Sequence, residues 1–229
     1  MPARSSGKRP QATSERKRGL ILEAARQVFE SEGLDGASLR AIAAVAGYTP
    51  AALYFYFDSK EAIYGELLRH SLVNLEAAIN HAITRRQIPP QRLRAAAMAF
   101  FRYYQENPRD LDLGFYLFRG GMKPRGLGRQ RDRMLNAALD SALSPIGHAV
   151  RELGGTPAQA RQVTIETFAY ATGLLLLAHT GRMRRFGAST AGMMQRFIER
   201  AIAGLTLEES RQARRRPRRS RPCVAATSG

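Results

Sequence analysis

Helical spacing of apolar residues runs through nearly all of this 229-residue chain, and no segment sustains the alternation of a half-buried strand. That periodicity confines the fold to an all-α architecture of about nine helices. Over residues 14–32, Leu20, Ile21, Ala24, Ala25, Val28 and Phe29 make one apolar stripe, and Gly33 supplies the positive-φ stop that helix ends favour. Apolar residues make up 44% of the chain, enough to build a core.

Local punctuation divides the rest. Ser38 is placed to cap a short helix over 39–46 closed by Gly47, and Thr49 with Pro50 opens a third over about 50–57. Asp58 followed by Glu61 has the spacing of a capping box for a long helix to about residue 86. Pro89-Pro90 and Asn107-Pro108 bracket the next helix, and a short aromatic helix over 111–119 leads into a glycine-rich loop. Residues 127–153 read as a helix with a kink at Pro145; Thr156-Pro157 starts another, to about residue 182, and residues 188–207 form a last amphipathic one.

Charge is concentrated at the ends. Against 36 Lys plus Arg the chain has 19 Asp plus Glu, a formal net charge of +17. Residues 1–18 hold six basic groups and one acid, and residues 211–229 hold seven arginines and no acid. Such segments read as flexible arms for a polyanion, and the expected organisation is a disordered basic arm over 1–13, a first helical domain over 14–60, a helical body over 61–208 and a disordered Arg-rich tail over 209–229. The longest apolar stretch, 168–178, falls short of the roughly 20 residues that span a bilayer. With no apolar signal segment at the N-terminus, the expected location is the cytoplasm, with no membrane partner. Cys223 stands alone, so no intrachain disulfide or cysteine-based zinc site can form.

Two short helices joined by a glycine turn, behind a longer helix in a basic chain, have the pattern of a helix-turn-helix. Leu39, Ile42, Val45 and Leu53 are expected to face the first helix, which leaves Arg40, Thr49, Pro50, Ala51 and Tyr54 outward. Four consecutive aromatics cannot all point into one core, so Phe55 and Phe57 are assigned to it and Tyr54 and Tyr56 to the surface. An outward set of this kind suits a duplex: arginine can pair with guanine or phosphate, and hydroxyls and helix N-termini contact phosphates.

Residues 15–62 resemble the DNA-binding region of the TetR family of bacterial repressors, through Ala24, Ala25 and Phe29, Gly33 with Ser38, Ile42-Ala43 with Ala46-Gly47, Leu53-Tyr54 with Tyr56-Phe57, and Ser59-Lys60-Glu61. The resemblance implies that Tyr54 and Lys60 contact phosphates, that Arg40 is a contact from the second helix, and that Thr49, Pro50, Ala51 and Ala52 meet base edges. It further implies a C-terminal helical domain that binds an effector and dimerises through its last two helices. Double-stranded DNA with a near-palindromic operator, a second copy of the chain and a small molecule are then the expected partners.

An effector pocket is expected to draw on Phe100, Phe101, Tyr104, Phe115, Phe118, Met122, Phe168, Thr172 and His179, with an apolar or aromatic ligand and with Tyr104 and His179 as polar anchors. No cofactor or metal is expected. His70, His81, His148 and His179 are unclustered, and no metalloprotease, nucleophile-elbow or nucleotide-loop motif occurs, so the chain does not read as an enzyme. The competing reading is a nonspecific architectural nucleic-acid binder acting through its Arg-rich tails.

Overall fold

The structure is a computed structural model and describes residues 8–114 and 126–215. Among the described residues there are nine α-helices and no strand: α1 (Lys8–Gly36), α2 (Leu39–Ala46), α3 (Pro50–Tyr54), α4 (Lys60–Thr84), α5 (Pro89–Glu106), α6 (Pro108–Gly114), α7 (Arg129–Glu152), α8 (Pro157–His179) and α9 (Thr190–Arg215). A 3₁₀ turn over Arg182–Phe186 lies between α8 and α9. The periodicity therefore translated directly into an all-helical architecture.

Helices α1 to α3 enclose a small core of Ile21, Ala25, Phe29, Ile42, Ala43, Leu53 and Phe57, all buried. The α4 helix carries that core onward, burying Ile63, Tyr64, Leu67 and Leu68 near its start and Leu72, Leu75 and Ile79 further along. The α5 and α7 helices pack against α4, α8 packs on both of those and α9 on α5 and α8, with Leu93, Phe100, Phe101, Ile146, Val150, Leu175, Met194 and Ile198 buried. One apolar cluster thus extends from Ile21 to Leu205, and it sets the first three helices rigidly on the end of α4.

Several caps are where the sequence places them. Ser38 Oγ accepts the Ala41 N–H at 3.1 Å, and Gly47 ends α2 in the left-handed region (φ 71, ψ 29). Thr156 and Gln159 form a reciprocal capping box ahead of Pro157. Gly33 breaks the helical geometry of α1 (φ 69, ψ 177) before one last turn to Gly36.

Other boundaries differ. The helix α1 begins at Lys8, six residues ahead of the expected start, so part of the 1–13 arm is helical; Pro10 falls in the first turn, where a missing N–H costs nothing. The α9 helix continues to Arg215, into the tail expected to be disordered from 209, because Gln, Ala and Arg are good helix formers and the first breaker is Pro217. Ser59, not Asp58, caps α4 by accepting the Ala62 N–H at 3.1 Å, since the Asp58 carboxylate is engaged by Arg131. The third helix stops at Tyr54, three residues short, and α8 stops at His179 rather than near 182.

Candidate nucleic-acid interface

The α2–α3 corner is built by local bonds. The Tyr48 N–H reaches back to the Ala43 carbonyl at 2.9 Å across Gly47, and Thr49 Oγ1 accepts the Ala52 N–H at 3.2 Å. These bonds fix the angle between α2 and α3, while Leu53 and Ile42 anchor both helices on α1. What remains outward is Arg40, Thr49, Pro50 and Ala51, all exposed, with Ala52 half-buried behind them and Tyr54 62% exposed. The expected set is therefore gathered on one surface.

Three assignments change. Phe55, expected in the core, is 88% exposed, and Tyr56, expected outside, is half-buried against the core. The cause is the early end of α3: Tyr56 and Phe57 N–H groups both bond to the Leu53 carbonyl (2.8 and 2.9 Å), and the resulting turn swings Phe57 inward and Phe55 out. Val45, expected to face α1, is 51% exposed, because the buried arc of α2 is centred on Ile42, Ala43 and Ala46 and Val45 lies well off it at 100° per residue. Val45 and Phe55 thus join the outward surface, and the helical phase of α2 was the signal that could have found the first.

Lys60 is half-buried and donates from Nζ to the carbonyls of Asp35 and Ala37, both at 3.0 Å. It braces the turn that leads into α2 and keeps one ammonium proton for an outside acceptor. Arg40 faces solvent with no hydrogen bond or ion pair among the described residues, which leaves its guanidinium for an anion.

Side chains tie this domain to the body. Arg18 of α1 donates to the Tyr56 carbonyl at 3.1 Å, lies 4.2 Å from the Phe57 ring centroid and reaches Glu66 at 3.7 Å. Arg69 also binds Glu66 through two nitrogens, and this hydrogen bonding holds the Glu66 carboxyl below its ordinary range against the opposing effect of burial. Arg26 of α1 pairs with Asp110 of α6 at 2.8 Å, and the other Asp110 oxygen accepts the Tyr103 hydroxyl of α5 at 2.6 Å. Burial and the Asp110 carboxylate push the Tyr103 hydroxyl well above the usual tyrosine range. Tyr64 adds a bond from its hydroxyl to the Leu113 carbonyl at 2.9 Å. No sequence signal marked these pairs.

The expected pocket residues are partly brought together. Phe100 meets Tyr104 and Phe168 edge-on, with centroids 5.2 and 5.9 Å apart, and Phe101 is buried beside them on α5. His179 is exposed and its Nε2 lies 3.2 Å from the Tyr104 carbonyl, an acceptor, so this nitrogen carries the proton and is spent on the backbone. That removes His179 as a free polar anchor. Thr167 and Thr172 on α8 instead bury hydroxyls with no hydrogen-bond partner among the described residues, and the sequence pattern did not point to Thr167. Phe115, Phe118 and Met122 lie outside the described residues. Among the described residues no group of three or more His, Cys, Asp and Glu is arranged to hold a metal, and no helix is long and apolar enough to cross a membrane.

Comparison with known proteins agrees with this corner. The sequence model of bacterial regulatory proteins of the tetR family matches residues 21–67. The chain is 34% identical over 99 residues to the transcriptional activator FasR of Mycolicibacterium smegmatis, covering 43% of this chain and 45% of FasR. It is 32% identical over 112 residues to the transcriptional repressor NicS of Pseudomonas putida, covering 47% and 50%. The chain thus spans about half the length of the curated relatives it matches. The structure of the fatty acid degradation regulator FadR from Bacillus halodurans superposes with a TM-score of 0.62 at 16% identity, over 82% of this chain and 96% of that one, which is a likeness of fold. The matched signature falls on α1 to α4, whose geometry is that of a helix-turn-helix: residues 21–67 are similar to the DNA-binding region of the tetR family of bacterial regulatory proteins, and the all-helical body has the same fold as the FadR structure.

Proposed function

We propose that the chain is a sequence-specific DNA-binding transcriptional regulator, a ligand-responsive repressor that occupies a near-palindromic operator as a homodimer. The observation that carries this reading is the outward surface of α2 and α3, where Arg40, Thr49, Pro50, Ala51 and Tyr54 stand together on a rigid corner. Pro50 and Ala51 have no side-chain donor, so base discrimination rests on Arg40, on methyl contacts and on DNA shape. Tyr54, the Thr49 hydroxyl and the remaining Lys60 proton serve the phosphates.

Dimerisation is supported by large apolar side chains left exposed on the last two helices: Ile165, Leu176 and Leu177 on α8 and Leu207 on α9. Paired copies would set the two recognition helices about 34–36 Å apart, one turn of DNA. An apolar or aromatic effector would enter at Phe100, Tyr104 and Phe168, where the Thr167 and Thr172 hydroxyls await a partner. It releases DNA only by binding better to a conformation in which the recognition helices are wrongly spaced.

The test is gel-shift and footprinting on fragments flanking the chain's own gene, with the wild type, Arg40→Ala and Tyr54→Ala. Protection of a near-palindrome that both variants lose by about tenfold or more supports the assignment. Normal operator binding by both variants rejects it. A promoter fusion then fixes the sign, with derepression expected on deletion of the gene.

A further inference from the structure

An open cleft of ≈ 700 Å³ separates the helix-turn-helix domain from α7. The turn after α3, with Arg18, makes one wall, α4 from Ala62 to Arg69 makes the floor, and residues 128–135 make the other wall. Its size is within the range of small-molecule sites, about 300–1,000 Å³. It is distinct from the aromatic cluster of α5 and α8, which contributes no residue to it.

The charges lining it do not balance. Arg69 takes Glu66 and Arg131 takes Asp58 (2.9 and 3.1 Å), while Arg18 is laid over Phe57 and bonded to the Tyr56 carbonyl. Arg129 has no hydrogen bond or ion pair among the described residues, so four guanidiniums face two carboxylates. The same cleft exposes two large apolar side chains: Met134 on α7 (58%) and Phe55 on the opposite wall (88%). One exposed apolar residue is ordinary, but two in one cleft whose lining also carries an arginine with no acidic partner among the described residues have the composition of a site for an amphipathic anion.

We propose that this cleft binds an organic anion with a flat apolar body, an aromatic carboxylate or sulfonate, whose ring lies between Phe55 and Met134 and whose charged group is taken by Arg129 with Arg131 beside it. Because its walls belong to the two halves of the chain, occupancy bridges them beside the Asp58–Arg131 pair, which joins α7 to the α3–α4 turn. The proposal stands without the DNA reading, since its test is direct binding.

The probe is 8-anilinonaphthalene-1-sulfonate, titrated into the full chain by fluorescence and calorimetry. Saturable binding of one dye per chain, weakened about tenfold or more by Arg129→Ala and by Phe55→Ala, is the expected result. Arg85→Ala with Arg102→Ala, which removes two arginines of a different groove along α4 and α5, leaves that affinity within about twofold. Arg129 and Phe55 are exposed, so both cleft variants fold, as circular dichroism will verify. No saturable binding, equal affinity in the cleft variants, or equally tight binding of N-phenyl-1-naphthylamine, which lacks the sulfonate, overturns the proposal.

Discussion

Asp110→Ala tests how the DNA-binding domain is fastened to the body. The carboxylate side chain is 12% exposed and its Arg26 partner 21%, so both charges are largely withdrawn from water. The substitution removes the 2.8 Å bond to Arg26 and the 2.6 Å bond from the Tyr103 hydroxyl, and leaves a guanidinium and a phenol facing a small void. Breaking a fully buried pair costs about 3–5 kcal/mol, and the residual exposure here scales that to about 2–4 kcal/mol. Asp110→Asn keeps the shape and one acceptor and costs less, about 1–2 kcal/mol. The assay is urea unfolding of the full chain, with a double-mutant cycle against Arg26→Met. A coupling of about 1–3 kcal/mol is expected, because each single change already abolishes the shared pair. A loss below about 0.5 kcal/mol for Asp110→Ala, or strict additivity in the cycle, would refute the argument that this pair joins α1 to α6.

Other consequences are accessible with the same apparatus. At Gly155 an added Cβ would stand 2.7 Å from Val150 Cγ1 and 2.8 Å from the Val150 carbonyl oxygen, so Gly155→Ala should cost about 1–3 kcal/mol in urea unfolding, and a neutral result would mean that the α7–α8 turn relaxes freely. Thr49→Ala removes the cap of α3 and should lower stability by about 0.5–2 kcal/mol, with Thr49→Ser restoring most of it. Glu66 and Glu199 are both held below the ordinary carboxyl range, chiefly by hydrogen bonds from Arg69 and Arg94. Their depressed folded values mean that this stabilisation is present above the unfolded carboxyl pKa of 4.5 and is lost as pH falls through the lower folded values. Unfolding measured from pH 6 down to pH 3 should therefore show an acid limb that Glu66→Gln flattens; an unchanged limb would count against the Arg69 contact.

What could be read in the sequence was what is decided within a few residues. Ser38, Gly47, Thr49-Pro50 and Thr156-Pro157 act on their own backbone, and each lies where its chemistry places it. The cap of α4 was not decided locally: the Asp58 carboxylate is taken by Arg131, 73 residues away, and Ser59 accepts the Ala62 N–H instead. Phe55 was misplaced because a helical phase was extended beyond Tyr54, where the helix has ended. Composition made the segment after residue 208 look unstructured, although arginine favours helix until Pro217. The ties of Arg26 to Asp110, 84 residues apart, and of Tyr103 to Asp110 depend on how α5 and α6 lie against α1, which no pattern in one sequence specifies.

The most direct test of the central claim is operator binding at about 150 mM salt, where the nonspecific phosphate term is suppressed, by the full chain and by a version lacking residues 1–7 and 216–229. The account predicts that both protect the same near-palindromic site, and that Arg40→Ala and Tyr54→Ala abolish protection with both tails in place. Binding that ignores sequence, survives those substitutions and disappears with the tails would contradict it and make the helix-turn-helix corner incidental to what the chain does.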